Sequence, residues 1–320
     1  MAWRIGALGP ACRPPIAARF YPSRPTVQQG RPRSRRVRDV ELTIATCREL
    51  PEPDPDAAPL AKALETVGVR SRLLAWDDPE VDWSRAGATL FRSTWNYPQH
   101  AESFMQWVEE TSRHGPMWNP ADVVLWNVHK GYLLELAEAG LAVTPTVLLA
   151  RGSGRSLQSV MSEQGWSRAV VKPAISAASY RTLLVDAVDS AAGEQHLRLL
   201  AAEGDVLVQA YMESVEDYGE RALVWIDGDV THSVRKTPRW HGEAEHVSEA
   251  MPVTPAESAL AQDALALVRS PLLYARVDVA PGESGAPVIM ELELIEPSLF
   301  FPQHPPALQR YVAGIRHRLS

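Results

Sequence analysis

Short apolar segments alternate with longer amphipathic segments along most of the chain, starting at about residue 41. Alternation of apolar and polar residues is typical of strands, and an apolar residue at every third or fourth position is typical of helices. The first part is predicted to contain strands at 43–47, 69–75 and 88–93 and helices at 59–67 and 101–112. This β-α-β order predicts a small sheet that is covered by helices.

The pattern continues to the C-terminus, where strands follow one another more directly. It predicts strands at 145–149, 169–172, 180–186, 206–212, 221–226, 230–236, 273–280 and 288–295, and helices at 133–139, 193–202, 256–268 and 306–318. Asp227 and Gly228 separate two of these strands, and this dipeptide favours the positive φ angles of a tight hairpin turn. The predicted fold class is therefore α/β, of the α+β type.

These elements suggest a division of the chain into domains. Residues 1–40 are predicted to be a disordered or wrongly assigned N-terminal extension, followed by an N-terminal domain at 41–125. The second predicted domain covers 126–320, with a central subdomain at about 126–210 and a C-terminal subdomain at 211–320.

The first 38 residues differ in composition from the rest of the chain. They contain nine arginines and six prolines but no lysine and no acidic residue, so they bury too little apolar surface to repay the entropy of ordering. Three interpretations are open: an organellar transit peptide, a nucleic-acid-binding arm, or translated sequence upstream of the true start. We favour the last, because 41–47 has the pattern of a first core strand. Sequencing the N-terminus of the native protein tests this hypothesis, and a mature chain that begins at Met1 would contradict it.

Composition narrows the class of protein. A hydrophobic fraction of 45% and a charged fraction of 22% are ordinary for a globular protein, and no stretch approaches the ~18–20 apolar residues of a membrane-spanning helix. The two cysteines, Cys12 and Cys47, form no disulfide framework, which favours a cytoplasmic protein. Removing residues 1–39 takes away nine positive charges and one negative charge and changes the net charge from −7 to −15, so nucleic acid is not an expected partner.

Lysine is rare in this chain, which has 28 arginines but only four lysines: Lys62, Lys130, Lys172 and Lys236. Lys62 is expected on the solvated face of the first helix. Lys172 ends an apolar strand and precedes a loop of small residues, 174–179. Small residues let backbone N–H groups approach a phosphate, and lysine is a compact charge for phosphate oxygens. The alternative for Lys172 is a strand-end residue whose ammonium group reaches solvent.

The strongest chemical pattern lies near the C-terminus. It occurs in the segments YARVDVA at 274–280 and VIMELELIEPS at 288–298. Strand alternation places Arg276 and Asp278 on one face of the first segment, and Glu291 and Glu293 on one face of the second. If the strands pair, three carboxylates and an arginine come together, and Mg²⁺ would relieve the repulsion between the carboxylates. The alternative is an exposed edge hairpin, which the aliphatic neighbours disfavour.

Several common motifs are missing from the sequence. The chain contains no GxxxxGK[ST] P-loop, no GxGxxG after a strand and no nucleophile elbow. A polar loop contains His241, Glu243, Glu245, His246 and Glu249. Its spacing matches no usual zinc motif, and a mobile substrate lid is preferred over a zinc site.

These features, in this order, resemble the ATP-grasp superfamily over about 41–320, and most specifically over 130–298. Within it the chain is similar to the glutathione-synthetase and RimK-like ligases, and most similar to the cyclo-ligases of cycloserine biosynthesis, which act on O-ureido-serine. This last similarity rests on FRSTWNYP at 91–98, WDD at 76–78, GER at 219–221 and MELELIEPSLFF at 290–301.

The resemblance implies an N-terminal β-α-β substrate domain followed by two α+β subdomains that clasp ATP. It implies Arg276 and Lys172 as catalytic residues, Lys130, Lys172, Ser176, Ser179, Gln209, Tyr211, Met212 and Glu220 as ATP-binding residues, and Asp278, Glu291 and Glu293 as metal ligands. Arg92, Thr94, Asn96 and Lys236 are candidate substrate residues. For the first three, a packed strand end is the alternative. The implied cofactors are ATP and two Mg²⁺ ions, with Mn²⁺ as a substitute.

Two positions depart from the superfamily pattern. The phosphate lid is usually rich in glycine, whereas 174–179 has none, so the hydroxyls of Ser176 and Ser179 would donate instead. Glu293 stands where asparagine is common, which implies an altered affinity for the metal.

The resemblance implies ATP-dependent formation of a C–N bond through an acyl-phosphate-type intermediate. In a cyclo-ligase, both reacting groups belong to one small amino-acid substrate and a ring closes. The alternatives are a RimK-like ligase that modifies a peptide or protein tail, and an ATP-binding sensor without turnover. The expected partner is a small molecule, with no nucleic acid and no membrane, and a homo-oligomer is compatible with the sequence.

Overall fold

The computed structural model describes residues 41–177, 179–237 and 246–320, which belong to one compact unit, Asp39–Ser320. The predicted extension at 1–40 and His241, Glu243 and Glu245 of the polar loop lie outside the described residues. No helix in the described ranges is long and apolar enough to cross a membrane.

Twelve strands and nine α-helices are present in the described residues. The strands are β1 (Glu41–Thr46), β2 (Arg70–Ala75), β3 (Ala88–Phe91), β4 (Met117–Trp118), β5 (Thr146–Leu149), β6 (Arg168–Pro173), β7 (Leu183–Asp186), β8 (Val206–Ala210), β9 (Glu220–Ile226), β10 (Asp229–Lys236), β11 (Tyr274–Pro281) and β12 (Pro287–Glu293). The helices are α1 (Ala57–Thr66), α2 (Ala101–Ser112), α3 (Ala121–Asn127), α4 (Tyr132–Glu138), α5 (Leu157–Gln164), α6 (Ala191–Glu203), α7 (Ser214–Tyr218), α8 (Pro255–Ala266) and α9 (Pro305–Leu319).

The N-terminal sheet is parallel, with the order β2-β1-β3-β4. Central strand β1 is buried from Leu42 onward, as expected for a strand with helices on both sides of its sheet. The predicted β-α-β order is therefore confirmed. Because all four strands are parallel, their carboxyl ends meet at one edge, where Thr46 and Ser93 lie 3.0 Å apart through their hydroxyls.

The second sheet is antiparallel, with the order β5-β8-β6-β7. Helices α5 and α6 pack on it through Leu157, Val160 and Leu197, which are buried together with Val171 and Val208 of the strands. This sheet carries Lys172 on β6 and Gln209 on β8.

The third sheet is also antiparallel, with the order β10-β9-β11-β12. Its β9–β10 hairpin turns at Asp227 and Gly228, whose φ angles are 47° and 102°. The tight turn predicted from this dipeptide is therefore confirmed. The sheet shares a hydrophobic core with the N-terminal sheet, because Val224 and Tyr274 pack in the same cluster as Leu42 and Leu90.

Some element boundaries differ from the prediction. The strand predicted at 180–186 begins only at Leu183, because Ser179 and Arg181 have positive φ angles of 57° and 51° and form turns instead. The helix predicted at 133–139 is α4, which begins one residue earlier, at Tyr132, and ends at Glu138. Four short elements were not predicted: β4, α3, α5 and α7. These four elements have two to eight residues, so each offers few periods for a pattern to register.

Candidate ATP and magnesium site

The core of the candidate site is the pairing of β11 with β12. In this register Arg276 lies opposite Glu293, and Asp278 lies opposite Glu291. Facing positions of paired strands bring their side chains together on one side of the sheet. The strand pairing predicted from the sequence is therefore confirmed, and the four charged residues share one face.

The opposite face of these two strands is closed. Val277, Val279, Ile289 and Leu292 are each at most 1% exposed. On the charged face, by contrast, the side chains of Glu291 and Glu293 keep 24% and 25% of their exposure. The hairpin is thus packed on the core through one face. β12 lies at the edge of its sheet, but its acidic side chains are mostly buried, so the structure does not favour the alternative of an exposed hairpin with solvated acids.

Side chains from α3 and α4 hold the outer edge of β12 in this register. Asn127 donates to Leu292 O at 2.9 Å and accepts from Leu294 N at 2.9 Å, as a neighbouring strand would. Tyr132 accepts from Leu292 N at 3.1 Å. These contacts satisfy backbone groups that an edge strand would otherwise leave unpaired.

Basic side chains balance each of the three predicted metal ligands. Asp278 accepts from Arg276 at 2.8 and 2.9 Å and from Lys236 at 2.5 Å. Arg276 also contacts Glu293, and Lys130 contacts Glu291. We call these six residues the sheet-face cluster: Lys130, Lys236, Arg276, Asp278, Glu291 and Glu293.

The carboxyl groups of this cluster differ in their pKa values. Burial opposes ionisation of Asp278, but Arg276 and Lys236 outweigh it and lower the pKa to about 2. Burial raises the pKa of Glu293 to about 7, with Asp278 and Glu291 raising it and Arg276 opposing. Neighbouring carboxylates that cannot all ionise freely are a common property of cation and catalytic sites.

Both predicted phosphate lysines reach this face. Lys130 is 6% exposed, and its backbone N–H donates to Ala174 O at 2.8 Å, which ties it to the loop after β6. Burial lowers the pKa of Lys172, and the nearby charge of Lys130 lowers it further, while Glu291 opposes both effects. Two lysines whose charges influence each other, with Glu291 near both, form an arrangement suited to an anionic ligand that carries its own cation.

The predicted lid after β6 is only partly described. Ser176 is 3% exposed and Ser179 is exposed, and Ala178 between them lies outside the described residues. The roles of both serines as phosphate donors stay predictions.

The other predicted ATP-binding residues lie along the end of β8 and the start of β9. Gln209 donates to Thr146 at 2.9 Å, while the Tyr211 ring lies 4.2 Å beneath the guanidinium of Arg168. Met212 follows directly, and the carboxylate of Glu220 lies 3.4 Å from Lys236 Nζ. Glu220 therefore lies next to the sheet-face cluster.

The candidate substrate residues at the end of β3 are packed rather than open. Arg92 is 1% exposed and ion-paired with Asp54 and Asp56. Thr94 is fully buried, and Asn96 donates to Asp77 at 2.6 Å. This environment favours the packed strand end that the sequence left as the alternative, and Lys236 is likewise occupied by Asp278.

The chemistry of the carboxylate set fits Mg²⁺. No group of three or more His, Cys, Asp or Glu side chains in the described residues is gathered around one point. Mg²⁺, however, is usually held by one or two carboxylates together with phosphate oxygens, not by a complete protein cage. Asp278 and Glu291, facing each other next to two lysines, provide such hard oxygen donors.

Sequence reasoning missed two features of this region. Glu296 is 8% exposed, and burial raises its pKa to about 8, together with the charges of Glu293 and Glu291. Its position as the third glutamate of ELELIEP was a usable signal, but strand alternation places no residue beyond the end of β12. The second feature, the pairing of Asp54 and Asp56 with Arg92, had no signal in the sequence.

The chain is similar in sequence and in structure to proteins of one family. The family described as "D-cycloserine synthetase DcsG, N-terminal domain" matches residues 42–119. The cycloserine biosynthesis protein DcsG of Streptomyces lavendulae is 31% identical over 283 residues, which cover 83% of this chain and 95% of that protein. The crystal structure of D-cycloserine synthetase DcsG is 30% identical and aligns with a TM-score of 0.81 over 88% of this chain and 100% of its own.

More distant structures share the fold. The D-alanine–D-alanine ligase of Bacillus anthracis, solved with ATP, is 13% identical and aligns with a TM-score of 0.63 over 88% of this chain and 97% of its own. The fold is therefore the ATP-grasp fold that the sequence predicted, and the chain belongs to the DcsG family of ATP-grasp ligases.

Proposed function

We propose that this ligase is a cyclo-ligase that closes a ring within one small amino-acid substrate, as the name of its DcsG relatives suggests. The observation that carries the proposal is the register of β11 and β12, which aligns Arg276 with Glu293 and Asp278 with Glu291. Two lysines approach the same face. This is the charge pattern that phosphoryl transfer from ATP to a carboxylate requires.

In this proposal Lys130 and Lys172 hold the phosphates of ATP, with Ser176 and Ser179 as further donors. The segment that contains Gln209, Tyr211 and Met212 binds the adenine, and Glu220 binds the ribose. Support comes from the position of Glu220 at the start of β9, since Lys236 of the sheet-face cluster lies 3.4 Å from its carboxylate. One ligand could then span both regions.

The proposed reaction has two steps. An oxygen of the substrate carboxylate attacks the γ-phosphorus, the new O–P bond forms, and the bond to the β–γ bridging oxygen breaks as ADP leaves. The nitrogen lone pair of the same substrate then attacks the acyl carbon, the C–O bond to phosphate breaks, and the nitrogen loses a proton. Because both groups are held in one site, a large part of the rate comes from positioning.

Arg276 is the proposed catalytic residue for the second step. Its guanidinium is 7% exposed and already donates to two carboxylates, so its orientation is fixed before substrate arrives. A fixed cation next to the acyl group stabilises the negative charge that develops on the carbonyl oxygen.

Asp278, Glu291 and Glu293 are the proposed ligands of two Mg²⁺ ions, for which Mn²⁺ could substitute. When bound, such ions neutralise the phosphate oxygens and hold them in line for transfer. Lys236 and Arg276 contact the same carboxylate, so they keep Asp278 ionised and able to act as a ligand.

The test is ADP release by the full chain with Mg-ATP across a panel of amino acids that includes O-ureido-serine. Lys172→Met removes the proposed phosphate ligand, and Lys62→Met on the exposed face of α1 is its matched control. Substrate-stimulated release that is lost in Lys172→Met and kept in Lys62→Met supports the proposal. Binding of ATP without release on any amino acid would contradict it, and release with a peptide alone would indicate a RimK-like ligase.

A further inference from the structure

A second group of buried charges lies outside the sheet-face cluster. Arg92, at the end of β3, contacts Asp54 at 3.0 Å and Asp56 at 3.2 Å through one nitrogen. The side chains of Arg92, Asp54 and Asp56 are at most 1% exposed. We call these three residues the closed cluster. Despite burial, which opposes the charged form, the two carboxylates raise the pKa of Arg92 above its ordinary value.

The closed cluster binds the backbone of the loop that follows β12. Asp56 accepts from Leu299 N at 2.6 Å and from Phe301 N at 2.8 Å, while Arg92 donates to Pro297 O at 3.0 Å. A fourth bond in the same place runs from Trp95 Nε1 to Glu296 O at 3.0 Å. Four side-chain contacts from residues 56–95 thus hold a segment that is more than two hundred positions away in sequence.

The side chain of Asp56 binds this loop and does not cap helix α1. It occupies the N-cap position of α1, where a carboxylate would ordinarily accept from a backbone N–H of the first turn. Its side chain makes no such bond. Both oxygens instead serve Leu299 and Phe301, so the geometry of this aspartate is explained by the loop and not by the helix.

The loop in turn contacts the proposed catalytic arginine. Arg276 Nη1 lies 3.4 Å from Ser298 O, and the Phe300 ring lies 5.7 Å from the guanidinium carbon. Phe300 has a φ of 53°, which is costly for an aromatic residue and needs support from its surroundings. The bonds of Asp56 to the residues on either side of Phe300 provide that support.

We propose that the closed cluster is a positioning device, in which Asp54, Arg92 and Asp56 fix the 296–301 loop so that Ser298 and Phe300 hold the Arg276 guanidinium in its catalytic orientation. None of the three residues touches the reacting atoms in this assignment. The inference rests on the proposed function, because it assigns Arg276 to the transition state. It replaces the direct contact with substrate that the sequence suggested for Arg92.

The decisive variant is Asp56→Asn, which keeps the size of the side chain but replaces one acceptor oxygen with a donor group that faces a backbone N–H. Glu257→Gln is the matched control, because Glu257 also forms a buried two-bond pair with an arginine, Arg221 at 2.8 and 2.9 Å, and does not contact the loop. Two quantities are measured on the folded protein: kcat with KM for ATP, and hydrogen exchange of the Leu299 and Phe301 amides.

A positioning role predicts that Asp56→Asn lowers kcat about 10- to 100-fold with little change in KM for ATP. The Leu299 and Phe301 amides should exchange faster, and Glu257→Gln should alter neither quantity. Arg92→Lys, which keeps the charge, should retain more kcat than Arg92→Met.

Wild-type kcat in folded Asp56→Asn, or an equal fall in Glu257→Gln, would overturn the inference. Absence of turnover in the wild type would reject the proposed function instead, while unchanged exchange at the two amides would still overturn the positioning role.

Discussion

The sheet-face cluster and the closed cluster are both built from buried opposite charges, but their hydrogen bonds end in different places. In the closed cluster, Asp56 and Arg92 also form hydrogen bonds with backbone groups of one loop, 296–301. In the sheet-face cluster, charged side chains bond mostly to each other, and two carboxylates remain about one-quarter exposed. Burial of charge therefore does not by itself identify a reactive site; the partners of the charges do.

The two clusters also differ in how freely their charges can change. Arg92 is fixed in the charged state between two carboxylates. Glu293, by contrast, has a pKa raised to about 7 by burial and by its acidic neighbours, so its proton is held weakly near neutrality. A group of this kind can exchange a basic partner for a cation or a substrate, whereas the closed cluster is expected to stay intact throughout the reaction.

The largest expected effect is on stability, in Arg92→Met. The change leaves Asp54 and Asp56 buried without their common cation, and breaking a buried pair in this way costs about 3–5 kcal/mol of unfolding free energy. Urea denaturation of the wild type and the variant measures the loss. A loss below about 1 kcal/mol, the range of surface pairs, would remove the distinction between the two clusters.

Arg276→Ala should show the opposite balance between activity and stability. Asp278 keeps Lys236 as a partner at 2.5 Å, so the fold loses less than in Arg92→Met. Substrate-stimulated ADP release should nevertheless fall roughly 10²–10³-fold, because a preorganised transition-state donor is removed. Steady-state kinetics measures the fall in ADP release, and urea denaturation of the same variant measures the loss of stability. A variant that unfolds readily yet turns over normally would reverse the assignment of the clusters.

A third buried group, His232, is a titratable side chain that belongs to neither cluster. Burial and the stacked ring of His304, 4.8 Å away, lower the pKa of His232 to about 4. Between pH 6.5 and 4 the unfolded chain binds a proton here that the folded chain does not. Above pH 6.5 this histidine does not lower the free energy of unfolding. As the pH falls from 6.5 to 4 the free energy of unfolding decreases, by about 3 kcal/mol in total.

Urea denaturation at several pH values measures this slope. His232→Gln should flatten it between pH 6.5 and 4, whereas His100→Gln, at an exposed position, should leave it as in the wild type. An unchanged slope in His232→Gln would show that this histidine titrates equally in the folded and unfolded chains.

The smallest effect is expected for an exposed ion pair, which sets the lower limit of the comparison. The side chains of Arg155 and Glu163 are 42% and 54% exposed, and such pairs contribute little to stability because water screens them. Arg155→Ala should therefore change the urea midpoint very little and leave ADP release unchanged. A loss as large as that of Arg92→Met would mean that burial is not the decisive variable.

The sheet-face cluster was largely predictable from the sequence because its order is local. Arg276, Asp278, Glu291 and Glu293 sit on two strands joined by a short turn, so alternation and pairing suffice to bring them together. The partners Lys130 and Lys236 come from other elements. Their rarity as lysines singled them out, but no periodicity could assign Lys236 to Asp278.

The closed cluster was beyond prediction for a physical reason. Asp54 and Asp56 lie in a proline-rich stretch, PEPDPD at 51–56, that carries no strand or helix period. The bonds that Asp56 accepts from Leu299 and Phe301 join positions more than 240 apart in sequence. Contacts of this range depend on how the N-terminal and third sheets share one core, which a single sequence does not reveal.

The most direct test of the central claim, that the sheet-face cluster transfers phosphate to a substrate carboxylate, is an isotope measurement. O-ureido-serine labelled with ¹⁸O in its carboxylate is incubated with the full chain and Mg-ATP, and the inorganic phosphate is analysed by mass spectrometry. The account predicts one ¹⁸O atom in the phosphate for each product formed, because the acyl oxygen leaves with the phosphoryl group. Product formation with unlabelled phosphate would contradict it.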